Sequence, residues 1–210
     1  MDWHFDFISP FAYLQWRRLR ELPEFAAVRV KPLLFAGLLK HWEHKGPAEI
    51  APKRRFTYRH ALWLAQKHGI PLRCPPVHPF NPLRALRLAI ALDGRREVVD
   101  AIFRCIWEKG NDINAPEVWN ELLDELGVAD AEALIESTLA KEKLLQNGEA
   151  ALAVGVFGVP TLLINDELFW GFDATGMALD FLRDPACFAT AEYTRIESIR
   201  VGGVRKESLK

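Results

Sequence analysis

Ser9 stands where an extended segment gives way to a helix. Trp3, Phe5 and Phe7 alternate with His4 and Asp6, and Ser9-Pro10-Phe11-Ala12-Tyr13 follows. Alternation with period two predicts a strand over residues 2–8. Serine is a favourable N-cap, and proline suits the first helical position because it has no N–H to leave unbonded there. Unpaired amides and the positive end of the helix dipole then gather around the Ser9 hydroxyl, a setting that favours an anion such as a thiolate. No nearby residues supply a Ser-His-Asp relay, so Ser9 is not read as an acyl nucleophile. Its function would be to donate a hydrogen bond to a sulfur, and its plain alternative is capping. A second stretch, Gly155-Val156-Phe157-Gly158-Val159-Pro160-Thr161, runs into the apolar Leu162-Leu163-Ile164 and predicts a loop entering another strand.

The sulfur is not in the chain at this place. Cys74, Cys105 and Cys187 are three in number and widely spaced, which is neither a disulfide framework nor a Cys-x-x-Cys pair. Sulfur chemistry at Ser9 therefore requires a thiol cofactor. His41 with His44, and Cys74 with His78, are pairs without the third and fourth ligands that a metal needs, so no metal is expected.

Further elements follow from periodicity and punctuation. A helix is expected over residues 10–22 and a strand over 25–34, where Val28, Val30 and Pro32 alternate with Arg29 and Lys31. Residues 37–52, dense in Gly, Pro and His, predict an irregular loop. Helices are expected over 54–68 (stopped at Gly69-Ile70-Pro71), from Asn81-Pro82 to Asp93-Gly94, over 97–109, over 115–127 and over 131–146, with a short one at 149–154. Leu162–Asn165 and Leu168–Trp170, joined by a turn at Asp166-Glu167, predict a hairpin, and 176–182 a closing helix. In the tail, Ile196, Ile199 and Val201 suggest strand-like pieces. Strands at both ends with about a hundred helical residues between them imply an α/β fold with a large all-helical insertion.

The ordered set Asp6-Phe7-Ile8-Ser9-Pro10-Phe11-Ala12-Tyr13-Leu14, Pro52-Lys53, His78 to Arg87, Val156 to Thr161 and Phe169-Trp170-Gly171-Phe172-Asp173 resembles the thioredoxin fold. Within that fold it resembles the branch of disulfide oxidoreductase A and kappa-class glutathione transferases, and most closely the 2-hydroxychromene-2-carboxylate isomerases. The resemblance runs from residue 2 to about 184. It implies a discontinuous thioredoxin-like domain of residues 1–36 and 151–186, an inserted helical domain of 37–150, and a C-terminal tail of 187–210. It implies glutathione as cofactor, with its sulfur on Ser9. A cis Pro160 would present the Val159 backbone to the cysteinyl part, Asp173 would receive the γ-glutamyl amine, and Lys53 would face a carboxylate. Phe11, His44, Asn81, Arg84 and Trp170 are assigned to a pocket for an aromatic substrate. The chain departs from the family pattern at His44, Phe56, His60 and Ala174. Two positions that carry cysteines in dithiol oxidoreductases hold Ser9 and Ala12.

Composition argues against a nucleic-acid or polyanion-binding role. The chain has 210 residues, half of them hydrophobic, and a formal charge of −1, which lacks the basic excess of a nucleic-acid binder. No apolar run is long enough to span a membrane, and the N-terminus has no signal-peptide pattern, so a cytoplasmic location is expected. Three functions remain open at this level. They are an isomerase acting by reversible thiolate addition, a kappa-like transferase whose adduct stays joined, and a non-redox binding module that keeps the peptide groove. A homodimer is what the resemblance implies.

Overall fold

The computed structural model describes residues 1–203. In chain order it contains β1 (Asp2–Phe5), α1 (Pro10–Glu21), β2 (Arg29–Pro32), α2 (Phe35–His41), α3 (Ala51–Lys67), α4 (Leu83–Ala91), α5 (Arg96–Phe103), α6 (Pro116–Leu126), α7 (Ala131–Glu136), α8 (Thr138–Ala153), β3 (Thr161–Ile164), β4 (Glu167–Trp170), α9 (Thr175–Arg183) and α10 (Ala191–Ile196). The strands form one sheet in the order β2-β1-β3-β4. β1 runs parallel to β2 and antiparallel to β3, and β3 and β4 form a hairpin. The hairpin turns at Asn165-Asp166, both left-handed, rather than at Asp166-Glu167. Asn and Asp tolerate that conformation, which matches the twist of paired strands.

The period-two alternation of β1 sorts its side chains between two buried faces. Trp3, Phe5 and Phe7 pack against α1 and α5, with Trp3 stacked on Trp16 at 5.3 Å between centroids and Phe103 against all three. The other face is covered by α2, α8 and the segment after it, through Leu33, Leu38, Ala151, Val156 and Val159. His4 and Asp6 point to that second face and are as buried as the aromatics. A sheet covered on both sides leaves no solvated face, so here a polar residue at alternate positions does not mean exposure.

Several elements differ from expectation. Residues 35–41 are helical where an irregular loop was expected from 37, because Leu38 has the second sheet face to pack on. A seven-residue helix is too short to be stable by itself, and tertiary burial supplies the difference. The expected helix over 131–146 breaks at Ser137, whose side chain accepts from the Ala140 N–H and so starts α8. α8 then continues through Asn147-Gly148, where Asn147 donates to the Pro32 carbonyl at 2.9 Å. The boundaries 36/37 and 150/151 thus fall inside α2 and α8. α5 passes into a π-helical turn over Arg104–Glu108. In the tail, residues 191–196 are helical and no strand forms at Ile196, Ile199 or Val201. Residues 204–210 of the expected tail lie outside the described residues.

Candidate active site

Strand register brings the two stretches together. His4 is opposite Thr161 on antiparallel β3, so Val159 and Pro160 leave the sheet at the end where β1 runs on to Ser9. β4 ends there too, with Trp170 opposite Thr161. The Gly171 N–H donates to the Pro160 carbonyl at 2.8 Å, which ties the turn carrying Asp173 to the same end. The Val159–Pro160 peptide is cis, as expected.

Ser9 is the N-cap of α1, and its Oγ accepts the Ala12 N–H at 3.2 Å. Its carbonyl accepts from Ala12 and Tyr13. Pro10 has no N–H, so Phe11 alone keeps an uncommitted amide at this helix end among the described residues. The Ser9 hydroxyl, which accepts the Ala12 N–H, donates to no partner among the described residues, so its proton is also uncommitted. One O–H and one N–H at the positive end of a helix dipole suit a single anionic atom. Neither the N–H nor the C=O of Val159 has a partner among the described residues, so an extended peptide has one residue to pair with. These features fit a cysteinyl thiol cofactor.

The backbone before Ser9 is tightly held. Asp6 is 1 % exposed. Its carboxylate accepts the N–H of Ile8 at 3.0 Å and that of Phe35 at 2.8 Å, which joins the Ser9 turn to the start of α2. Burial pushes its pKa up to about 7, against the lowering effect of those two bonds. Gln15, fully buried on α1, accepts from Trp3 Nε1 at 2.7 Å and donates to the Gly171 carbonyl at 2.9 Å and to Thr175. These bonds fix the 171–173 turn relative to α1. Asp173 is exposed, and its carboxylate folds back to 2.5 Å from where a Gly171 Cβ would stand. It does not cap α9, whose N-cap is Ala174.

Aromatic side chains border this end of the sheet. Trp170, 54 % exposed, lies against Gly158 and meets Phe157 edge-on at 5.1 Å. Any side chain at 158 would strike the Trp170 indole. Trp42 donates to the Val156 carbonyl at 3.1 Å. Phe11 contacts His60 of α3 at 5.6 Å between ring centroids, and His60 lies between Phe56 and Trp63. Lys53 is exposed in the first turn of α3, and its spacing from Phe56 and His60 puts it on their face. His44 is exposed after α2, close in sequence to Trp42. Asn81 accepts the Leu83 N–H, a local turn contact. Arg84 pairs with Glu132 and lies over Trp119 at 4.3 Å, so its charge is engaged between α4, α6 and α7. No contact among the described residues joins Asn81 or Arg84 to Ser9. The cavity of about 640 Å³ at the outer edge of β2, beside Lys31, Arg96 and Lys143, contains none of these residues.

Sequence reasoning missed three side chains that hold the Ser9 turn: Trp107 bonds the Phe7 carbonyl, His78 bonds the Ile8 carbonyl, and Tyr58 bonds His78. The only signal for them was His78 within the His78-Pro79-Phe80-Asn81 stretch.

The family model for the DSBA-like thioredoxin domain matches residues 1–183. The chain belongs to this DSBA-like family. Within it, a 2-hydroxychromene-2-carboxylate isomerase of Sphingobium xenophagum is 30 % identical over 193 residues, covering 87 % of this chain and 95 % of that one. Glutathione S-transferase kappa 2 of Caenorhabditis elegans is 28 % identical, with 86 % and 90 % covered. Among solved structures, a 2-hydroxychromene-2-carboxylate isomerase superposes with a TM-score of 0.76 at 24 % identity, covering 91 % of this chain and 97 % of that one. The cytosolic disulfide reductase DsbM of Pseudomonas aeruginosa, solved with GSH, gives 0.59 at 16 %, with 93 % and 98 % covered. The DSBA-like fold is thus established, and the relatives are named as isomerases and kappa-class transferases. No helix among the described residues is long and apolar enough to cross a membrane.

Proposed function

We propose that the protein is a cytoplasmic glutathione-dependent isomerase of 2-hydroxychromene-2-carboxylate-type aromatic catabolites. The observation that carries this reading is the Ser9 hydroxyl, an N-cap oxygen whose proton is free beside the uncommitted Phe11 N–H, at a site with no cysteine. Glutathione, when bound, supplies a thiolate nucleophile that adds reversibly to a conjugated enone and so lets its double bond rotate. Ser9 and the Phe11 N–H hold the sulfur as an anion and lower its pKa through hydrogen bonding and the dipole of α1. Val159 pairs with the peptide backbone, Asp173 receives the α-amine of the γ-glutamyl arm, and Lys53 neutralises a carboxylate. Phe11, Trp170 and His44 border an aromatic substrate, and helix α3 covers it from the side of His60. Asn81 and Arg84, the other assigned pocket residues, would bear on substrate only from the α4 side. A homodimer accompanies this reading by family resemblance.

The kappa-like transferase reading has the support of the worm relative at 28 % identity. The two separate by glutathione stoichiometry. Incubation of 2-hydroxychromene-2-carboxylate with enzyme and a tenth of an equivalent of glutathione should bring all of it to the isomer equilibrium with no thiol consumed. Consumption of thiol with a stable conjugate would select the transferase, and neither outcome would leave the binding module.

A further inference from the structure

Every polar backbone group between Phe7 O and Ser9 N is bonded. Trp107 Nε1 donates to the Phe7 carbonyl at 2.8 Å. Asp6 accepts the Ile8 N–H through its carboxylate and the Ser9 N–H through its own carbonyl, at 3.0 and 3.2 Å. His78 Nε2 stands 2.8 Å from the Ile8 carbonyl. A carbonyl only accepts, so Nε2 carries the hydrogen. Burial lowers the His78 pKa, which keeps the ring neutral and leaves Nδ1 as an acceptor. Tyr58 Oη lies 2.8 Å from Nδ1 and 3.3 Å from the His78 carbonyl, and its single hydrogen goes to the nearer Nδ1. The ring is further confined by edge-on contacts with Trp107 at 5.4 Å and with Phe80 and Tyr58. A chain of hydrogen bonds thus runs Tyr58–His78–Ile8, from α3 across the 68–82 connection to the peptide that precedes Ser9.

We propose that His78, oriented by Tyr58, is a positioning residue that fixes the plane of the Ile8–Ser9 peptide and with it the direction of the Ser9 hydroxyl and the Phe11 N–H. Two side chains of the helical segment, His78 and Trp107, hold successive carbonyls. The Ser9 turn can swing only if both let go. Misplacing a catalytic donor by about 1 Å costs on the order of a hundredfold in rate. Losing one of several restraints costs less, about tenfold. This inference rests on the reading of Ser9 as the group that holds the thiol.

The test compares wild type with His78→Leu, His78→Gln and Tyr58→Phe. Glutamine keeps an N–H able to reach the Ile8 carbonyl, so it should rescue what leucine loses. In His78→Leu, kcat should fall about tenfold with little change in KM for glutathione, and the pKa of the bound thiol should rise. His78→Gln should recover most of both, and Tyr58→Phe should fall between. Amide exchange of Ser9 and Ala12 needs no glutathione, and it should quicken about tenfold in His78→Leu and slow again in His78→Gln. That measurement keeps the two claims apart. A wild type that binds no thiol sinks the glutathione reading, whereas unchanged exchange in His78→Leu overturns the positioning role. If His78→Leu does not fold, Tyr58→Phe and His78→Gln still decide. A folded Tyr58→Phe with wild-type exchange and wild-type thiol pKa contradicts the proposal.

Discussion

Replacing Asp6 by asparagine should change how stability depends on pH. Asp6 is buried with no cation within ion-pair distance among the described residues, and its two backbone bonds only partly offset the loss of water. Its pKa of about 7 lies above the ordinary 3.8, so the folded state binds the proton more tightly than the unfolded state. Its contribution is fully present below about pH 3.8. It is lost as pH rises, and levels off above about 7. At 1.36 kcal/mol per pH unit that window amounts to about 4 kcal/mol. Asparagine resembles the neutral acid in shape and in having one good acceptor, and it has no charge to bury. Urea unfolding of both chains at pH 4.5 and pH 8 cancels every other titrating group in the difference. Asp6→Asn should gain about 3 to 4 kcal/mol on wild type between those two pH values, with most of the change between pH 5 and 7. A difference that is flat across the window would refute the claim that an ionised, uncompensated carboxylate sits beneath the Ser9 turn.

Other predictions bear on the same core. His4 has no partner at either ring nitrogen and a pKa pushed down to about 4 by burial, so it is neutral when folded. Its contribution is present above about 6.5 and lost as pH falls towards 4, and His4→Leu should remove that acid sensitivity, worth about 3 kcal/mol, in thermal unfolding. Persistence of the same acid loss in His4→Leu would place the titration elsewhere. Gln15→Leu orphans the Trp3 indole N–H and the Gly171 carbonyl, and should cost roughly 2 to 5 kcal/mol in urea unfolding. It should also weaken glutathione binding by loosening the turn that carries Asp173. A cost under about 1 kcal/mol would mean that these groups find other partners.

Much of the fold was legible because local rules and tertiary structure agree. Ser9-Pro10 starts a helix at the residue the cap rules name, and Val159-Pro160-Thr161 enters a strand. His4 and Asp6 were illegible because alternation cannot distinguish a solvated face from one roofed by helices far away in sequence. α2 was hidden by Gly37 and by a length too short to be helical without the sheet beneath it. The break at Ser137 hinges on one side-chain bond to Ala140 within an otherwise continuous helical pattern. Of the residues gathered at this end of the sheet, Ser9 was nameable from the cap rules, and Val159, Pro160, Trp170 and Asp173 from the family resemblance. Tyr58, His78 and Trp107 could not, since bringing His78 and Trp107 to residues 7–8, and Tyr58 onto His78, depends on how α3, the 68–82 connection and the turn after α5 fold over α1.

The central claim is that Ser9 holds a glutathione thiolate. Calorimetric titration of glutathione, with ultraviolet thiolate absorbance followed in the same samples, tests it on wild type and Ser9→Ala. Removing one hydrogen bond to a charged sulfur should raise the thiol pKa by about 1 to 2 units, from the ~1.5–3 kcal/mol such bonds contribute. The account predicts binding with a thiolate band near neutral pH in wild type, and loss of the band with weaker binding in Ser9→Ala. Absence of binding at millimolar glutathione, or a thiolate band that Ser9→Ala leaves intact, would contradict it.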